Sequence, residues 1–438
     1  MGPHDREILR LAVPALGALI AEPLYVLSDT AVVGHIGTNE LGGLAVASSV
    51  LLTGYAVFIF LAYGTTGAVG RLIGAGDLRE AAHQAVQSLW LALLIAAALV
   101  PAGLLGAGWL VRALGASGAI ATNAELYLRI SVLGAPALLL MLAGTGYLRG
   151  HQDTRTPLVV ALVSNVVNLG LELFLIYGLG YGIGASALAT VLAQWGAAAV
   201  YVHRVARGAR AEGAGLRPDG AALAGLGRAG AALLVRTAAL RGSLTVATAV
   251  AAHMGAVELG AHQIAFELWS FLALALDAIA IAGQAMMGRA LGAGAVEEAR
   301  AVSRRMVELG VAAGIVFGLL VVATRPLLPH LFSSDPAVVA LAGFLLWWVA
   351  ALQPVNAVAF VLDGVLIGAG DVRYLAWAMA AAATVFAAAA CVVLLLDLGI
   401  GWLWAAIGAF MVARVVGLWA RFRTEAWLVT GASSTGVR

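Results

Sequence analysis

Apolar stretches long enough to cross a bilayer recur along the whole chain, separated by short breaks of Gly, Pro or charged residues. A spanning helix needs about 20 predominantly apolar residues. Stretches of that length fall at 11–33, 44–69, 83–107, 124–147, 157–178 and 183–203, and again at 228–252, 261–288, 305–324, 337–366, 374–396 and 400–420. The pattern predicts an all-α integral membrane protein with twelve spans. Between the sixth and seventh, the stretch from His203 to Gly220 is polar, Gly-rich and Arg-rich, and reads as a linker. The expected organisation is an N-terminal six-helix lobe over 1–205, a cytoplasmic linker over 206–222 and a C-terminal six-helix lobe over 223–438.

The two sets of spans repeat one another. HIGTNELGG from His35 returns as HMGAVELGA from His253, GRLIGAGDLREA from Gly70 as GRALGAGAVEEA from Gly288, and LRGHQDTR from Leu148 as LIGAGDVR from Leu366. All three pairs are 218 positions apart (253 − 35, 288 − 70, 366 − 148). Each unit holds an even number of spans, so the copies run in the same sense across the membrane, as two parallel, pseudo-symmetric lobes. Internal duplication of this kind is typical of secondary transporters.

Composition narrows the choice further. Of 438 residues, 62% are hydrophobic and 11% charged, which excludes a water-soluble domain. A net charge of +2, from 25 basic and 23 acidic residues, offers no polybasic surface for nucleic acid. The single cysteine, Cys391, leaves no disulfide framework and no CxxC motif. Arg6 and Arg10 precede the first stretch, which is too long for a signal-peptide core and contains Glu22 and Asp29, so it reads as a retained span. Arginines concentrate before the first span, after the even-numbered spans and toward the C-terminal end, Arg414 among them, whereas Arg112, Arg129 and Arg325 fall on the other side. By the positive-inside rule both termini are expected in the cytoplasm.

Acids inside the bilayer are expensive and therefore candidates for function. Span 1 carries Glu22 and Asp29 two turns apart, with Tyr25 between them. Span 5 carries Asn165, Asn168 and Glu172 on one stripe. Span 8 has Glu267, Asp277 and Gln284, and span 10 has Gln353, Asn356 and Asp363. These stripes are expected to turn inward and line wet cavities. Asp29, Asn168 and Glu172 are the candidates for binding a cation or proton. Asp277, Asp363, Gln284 and Asn356 are candidates for coupling in the second lobe, and Glu22, Tyr25, Asn165 and Glu267 for a substrate cavity. Arg236 and Arg241 in span 7 provide a structural alternative, neutralising Asp277. No HExxH or similar metal spacing is present, and the Gly-rich GRLIGAG and GRALGAG turns lack the GK[ST] ending of a phosphate loop.

The chain resembles the multidrug and toxic compound extrusion (MATE) transporters, most closely their DinF-like branch. The resemblance rests on PLYVLSDTAVVGHIGTNELGGLAVA, LRGHQDTRTPL and NLGLELFLIYGLGYGIGASALAT in the first half, and on HQIAFELWSFLALALDAIAIAGQA and QPVNAVAFVLDGVLIGAGD in the second. It implies a V-shaped, twelve-helix carrier that exports organic cations or amphipathic compounds by alternating access, in exchange for protons or sodium ions. It also implies no organic cofactor, a monomer among membrane lipid, and a place in the cell membrane. By motif, the family's span-1 acid falls on Asp29, and its span-5 Asn and acid on Asn168 and Glu172. Glu172 stands where characterised prokaryotic members of the branch commonly have Asp, and Leu173 where a Pro follows. The acid that sodium-coupled relatives carry in span 10 corresponds to Asn356. A flippase for a lipid-linked precursor is the alternative within the wider superfamily. An embedded enzyme would need a nucleophile–base pair or a metal cluster in the spans, and the sequence contains neither.

Overall fold

The computed structural model describes residues 4–432, and the regular elements among them are all helical. Hydrocarbon supplies no hydrogen-bond partner for a peptide group, so each apolar run satisfies its own N–H and C=O groups by coiling. Twelve spans result: α1 (Asp5–Gly34), α2 (Thr38–Gly74), α3 (Leu78–Ala113), α4 (Gly118–Val132 and Ala135–Gly150), α5 (Arg155–Gly178) and α6 (Ile183–Ala211), then α7 (Gly220–Met254), α8 (Ala256–Gly292), α9 (Val296–Thr324), α10 (Pro336–Gly368), α11 (Val372–Leu395) and α12 (Ile400–Arg423). The fourth is bent by 48° where Leu133 and Gly134 separate its halves, and Pro136 opens the second half without needing an N–H partner. The fifth widens into a π turn over Phe174–Gly178, directly after Glu172 and Leu173. Such turns concentrate at functional sites.

Acids close the starts of α3 and α5 by accepting free backbone N–H groups. Asp77 accepts the Glu80 N–H at 3.0 Å, and Asp153 accepts those of Arg155 and Thr156 at 3.1 and 2.9 Å. Asp371 instead holds the Arg421 guanidinium at 2.6 Å.

The chain forms two compact units, Gly17–Gly230 and Met1–Leu16 with Ala231–Arg438. Residues 206–222 thus belong with the first unit. Gln87 and Trp90 of α3 donate to the carbonyls of Arg217 and Leu216, both at 2.9 Å, and fasten the linker down. The start of α1 belongs with the second unit, where Asp5 accepts two hydrogen bonds from Arg305 at 2.6 and 3.0 Å.

The repeat is visible in the helix seams. Gly146 packs against α2 so closely that a Cβ there would lie 2.7 Å from the Ala62 carbonyl oxygen. Gly364 and Ala280 lie 218 positions further on (364 − 146, 280 − 62), and a Cβ on Gly364 would lie 2.6 Å from Ala280 Cα. Small residues let membrane helices approach this closely. On α9, Gly310, Gly314 and Gly318 form one stripe against α10, with Gly314 set on the backbone of Gln353 and Pro354.

Candidate functional site

The first unit brings side chains from α1, α4, α5 and α6 to one buried spot. Asp29, 5% exposed, accepts a hydrogen bond from Ser186 Oγ at 2.5 Å and another from Tyr127 Oη at 3.2 Å. One turn before Asp29, Tyr25 Oη lies 2.6 Å from Thr190 Oγ1. Thr190 donates to the Ser186 carbonyl at 3.1 Å and accepts from Asn168 Nδ2 at 3.2 Å. Because the Thr190 proton is used on that carbonyl, Tyr25 is the donor in the pair. Ser186 and Thr190 are one turn apart on α6, as are Asn168 and Glu172 on α5, so two helices each present two groups to α1.

Glu172 has no measurable exposure, lies close enough to Asp29 to feel its charge, and neither of its carboxylate oxygens has a hydrogen-bond partner. Two neighbouring ionised carboxylates at 4 Å repel by about 4 kcal/mol at an effective dielectric constant of ~20. One positive charge between them would relieve that repulsion. A proton shared between the acids would do this, as would a hard cation, which prefers the oxygen ligands that carboxylate, hydroxyl and amide groups offer. The orphaned oxygens of Glu172 are the atoms to which such a charge would bind.

The other candidates are placed differently. Asn165 donates to the Ala21 carbonyl at 2.8 Å and ties α5 to α1. Glu22 and Glu267 are exposed, and Asp277 is half-buried and partnered. Gln284 and Asn356 are buried, each with its side-chain carbonyl oxygen lacking a hydrogen-bond partner. Asp363 Oδ2 is shared by Arg236 Nη2 at 2.7 Å and Arg414 Nη2 at 2.5 Å. The Arg414 guanidinium also lies 5.7 Å from the Phe360 ring centre and 5.8 Å from that of Phe410. Arg236 thus pairs with Asp363, Arg241 is exposed, and Arg414, grouped by position with the end-of-span arginines, is 1% exposed inside the second unit.

The MatE family model matches residues 14–174 and 233–393, one copy in each half. The chain belongs to the MatE family. Protein DETOXIFICATION 44, chloroplastic, of Arabidopsis thaliana is 33% identical over 98% of this chain and 84% of its own length. DNA damage-inducible protein F of Escherichia coli (strain K12) is 29% identical over 97% and 94%. Among solved structures, the outward-facing conformation of a multidrug resistance MATE family transporter of the MOP superfamily superposes with a TM-score of 0.87 over 97% of both chains. A MOP superfamily transporter from Pyrococcus furiosus gives 0.86 over the same shares. Both are 22% identical and establish the likeness of fold. This MatE-family protein is therefore a multi-pass membrane transporter.

Sequence reading found both acids and Asn168 in the first unit but missed Tyr127, Ser186 and Thr190. Ser and Thr are cheap in membrane helices, where they bond to the preceding turn, so their presence alone carries little signal. The available signal was the four-residue spacing of Ser186 and Thr190 on an otherwise apolar helix face.

Proposed function

We propose that this MatE-family protein is a secondary active exporter of organic cations and amphipathic compounds, driven by exchange for protons, with sodium as the other candidate ion. It works by alternating access as a monomer in the cell membrane, both termini in the cytoplasm, without an organic cofactor. The observation that carries this reading is the buried Asp29–Glu172 pair, in which one carboxylate is solvated by hydroxyls and the other has no hydrogen-bond partner.

A site with one negative charge too many accepts a cation from either side of the membrane. When a proton or sodium ion enters, the pair falls from two negative charges to one, and the hold on a cationic substrate weakens. Loss of that ion on the other side restores the attraction. Tyr127 and Ser186 keep Asp29 oriented throughout, while Tyr25 and Asn168 meet at Thr190 and sense changes in α1 and α5. Each charge that crosses 100 mV contributes about 2.3 kcal/mol, sufficient for a roughly 50-fold gradient of a singly charged compound. Asp363, already held by two arginines, acts in this scheme as an internal tie of the second lobe.

The test is export of a fluorescent organic cation from proteoliposomes under separately imposed proton and sodium gradients. The wild type is expected to respond to the proton gradient. Asp29→Asn and Glu172→Gln are each expected to lose about tenfold or more of the driven rate, the scale of a coupling energy of 1–3 kcal/mol. Undiminished driven export by both variants would refute the assignment, and a response to sodium alone would change the ion.

A further inference from the structure

The duplication has also produced two copies of one groove, and their linings have diverged. In the first unit a cavity of about 400 Å³ lies between α3 and α6, near the start of α3 and the end of α6. In the second unit a cavity of about 270 Å³ lies in the equivalent place between α9 and α12. Val86 and Leu89 on α3 correspond to Arg304 and Val307 on α9, 218 positions on (304 − 86, 307 − 89). Val202 and Ala206 on α6 correspond to Trp419 and Arg423 on α12, 217 positions on (419 − 202, 423 − 206), the register in which Gly182-Ile183-Gly184 matches Gly399-Ile400-Gly401. At three aligned positions Val86, Val202 and Ala206 of the first groove thus give way to Arg304, Trp419 and Arg423 in the second.

In each lobe the chain leaving the last helix folds over the groove. Leu216 does so in the first unit, held by Trp90. In the second, Glu425 takes a left-handed conformation (φ 56°) that turns the chain back. Trp427 then stacks on Phe422 with ring centres 5.4 Å apart and donates to the Phe422 carbonyl at 3.0 Å, and Gly431 N–H reaches the Leu291 carbonyl at 3.0 Å. Arg300, also at this cavity, is neutralised by Glu297 at 2.5 Å and Glu425 at 2.6 Å. No carboxylate among the described residues forms an ion pair with Arg304 or Arg423.

We propose that this second groove binds the phosphate of an anionic membrane phospholipid, with Arg304 and Arg423 as its ligands. Guanidinium groups match phosphate oxygens in paired hydrogen bonds. Basic pockets between spanning helices at the ends of the bundle hold anionic headgroups. Tryptophans concentrate where spans meet the headgroup layer, and exposed Trp419 lies beside the groove. The cavity takes a headgroup, while the acyl chains lie along the apolar outer surfaces of α9 and α12. The first groove offers no cation among its lining side chains and is expected to be indifferent to lipid charge.

The full-length protein, purified and delipidated in detergent, is titrated with phosphatidylglycerol or phosphatidylcholine and the bound lipid counted by native mass spectrometry. Wild type is expected to retain phosphatidylglycerol in preference to phosphatidylcholine. Arg304→Gln with Arg423→Gln is expected to weaken phosphatidylglycerol binding about tenfold or more, the loss of one or two charge-assisted hydrogen bonds. Arg204→Gln with Arg207→Gln, on exposed positions of α6 outside the groove, is expected to leave it unchanged. If the double variant does not accumulate, the exposed single change Arg423→Gln serves, with a smaller loss expected in the same direction. Equal binding by wild type and the folded variant, or retention of both lipids alike, would overturn the proposal. So would displacement of the lipid by an equal concentration of glycerol 3-phosphate, which would mark a site for soluble phosphates.

Discussion

The two lobes share a helix order and a glycine seam, yet the spot that is polar in one is solid core in the other. Asp29, Tyr127, Asn168 and Glu172 correspond, 218 positions on (247 − 29, 345 − 127, 386 − 168, 390 − 172), to Ala247, Leu345, Phe386 and Ala390. Ser186 and Thr190, in the α6 register of 217 (403 − 186, 407 − 190), correspond to Leu403 and Ile407. All six counterparts are buried in one hydrophobic cluster. The converse holds for Arg236, Asp363 and Arg414, whose counterparts Ala18, Thr145 and Ala197 carry no charge (236 − 18, 363 − 145, 414 − 197). After duplication each copy kept the scaffold and assigned its ionisable groups to a different place. The first carries an acid pair that lacks a positive charge, and the second a carboxylate that has two.

This contrast can be broken by moving an acid across it. Ala247→Asp puts a carboxylate into the buried hydrophobic cluster of the second lobe, and is expected to lower stability by about 3 kcal/mol or more. In thermal unfolding, Asp29→Ala in the first lobe should be far milder, since it removes one of two repelling charges. Equal losses would mean that the first lobe compensates Asp29 as fully as a core does. A comparable effect is expected at the arginine pair. Asp363→Ala removes the carboxylate shared by Arg236 and Arg414 and should cost about 3–5 kcal/mol, whereas Thr145→Ala should cost no more than about 1 kcal/mol by the same measurement.

The smallest effect sharpens the difference at the linker. Backbone N–H groups of Ala221 and Ala222 hold the exposed Asp219 carboxyl below its usual pKa, with His83 3.7 Å away. A carboxyl depressed in the folded state stabilises that state above the unfolded pKa, about 3.9, and the contribution is lost as pH falls from there through the folded value. Asp219→Asn is therefore expected to lower the unfolding midpoint slightly at pH 7 and to leave it unchanged near pH 2.

How much of this was legible depended on which residues carried the signal. The twelve spans and the repeat could be read because hydrocarbon admits few alternatives to a long apolar helix. Asp29 and Glu172 were legible because charge inside a span is rare. Arg414 was not, because near the end of a span an arginine that reaches out to the headgroups and one that turns inward to Asp363 have the same sequence. The Asp363 partner of Arg236 was equally hidden, since the sequence suggested Asp277 for it and nothing in the spacing pointed to Asp363.

The bond between Asp5 and Arg305 spans 300 positions of chain. At about 5–20 residues per second, some 15–60 seconds separate the synthesis of the two residues. Throughout that interval Asp5 at the start of α1 is without the arginine it finally binds. The transporter can therefore close its second half only once ribosomal synthesis has passed well beyond its midpoint, and the waiting start of α1 is where an insertase or chaperone would have the longest time to act.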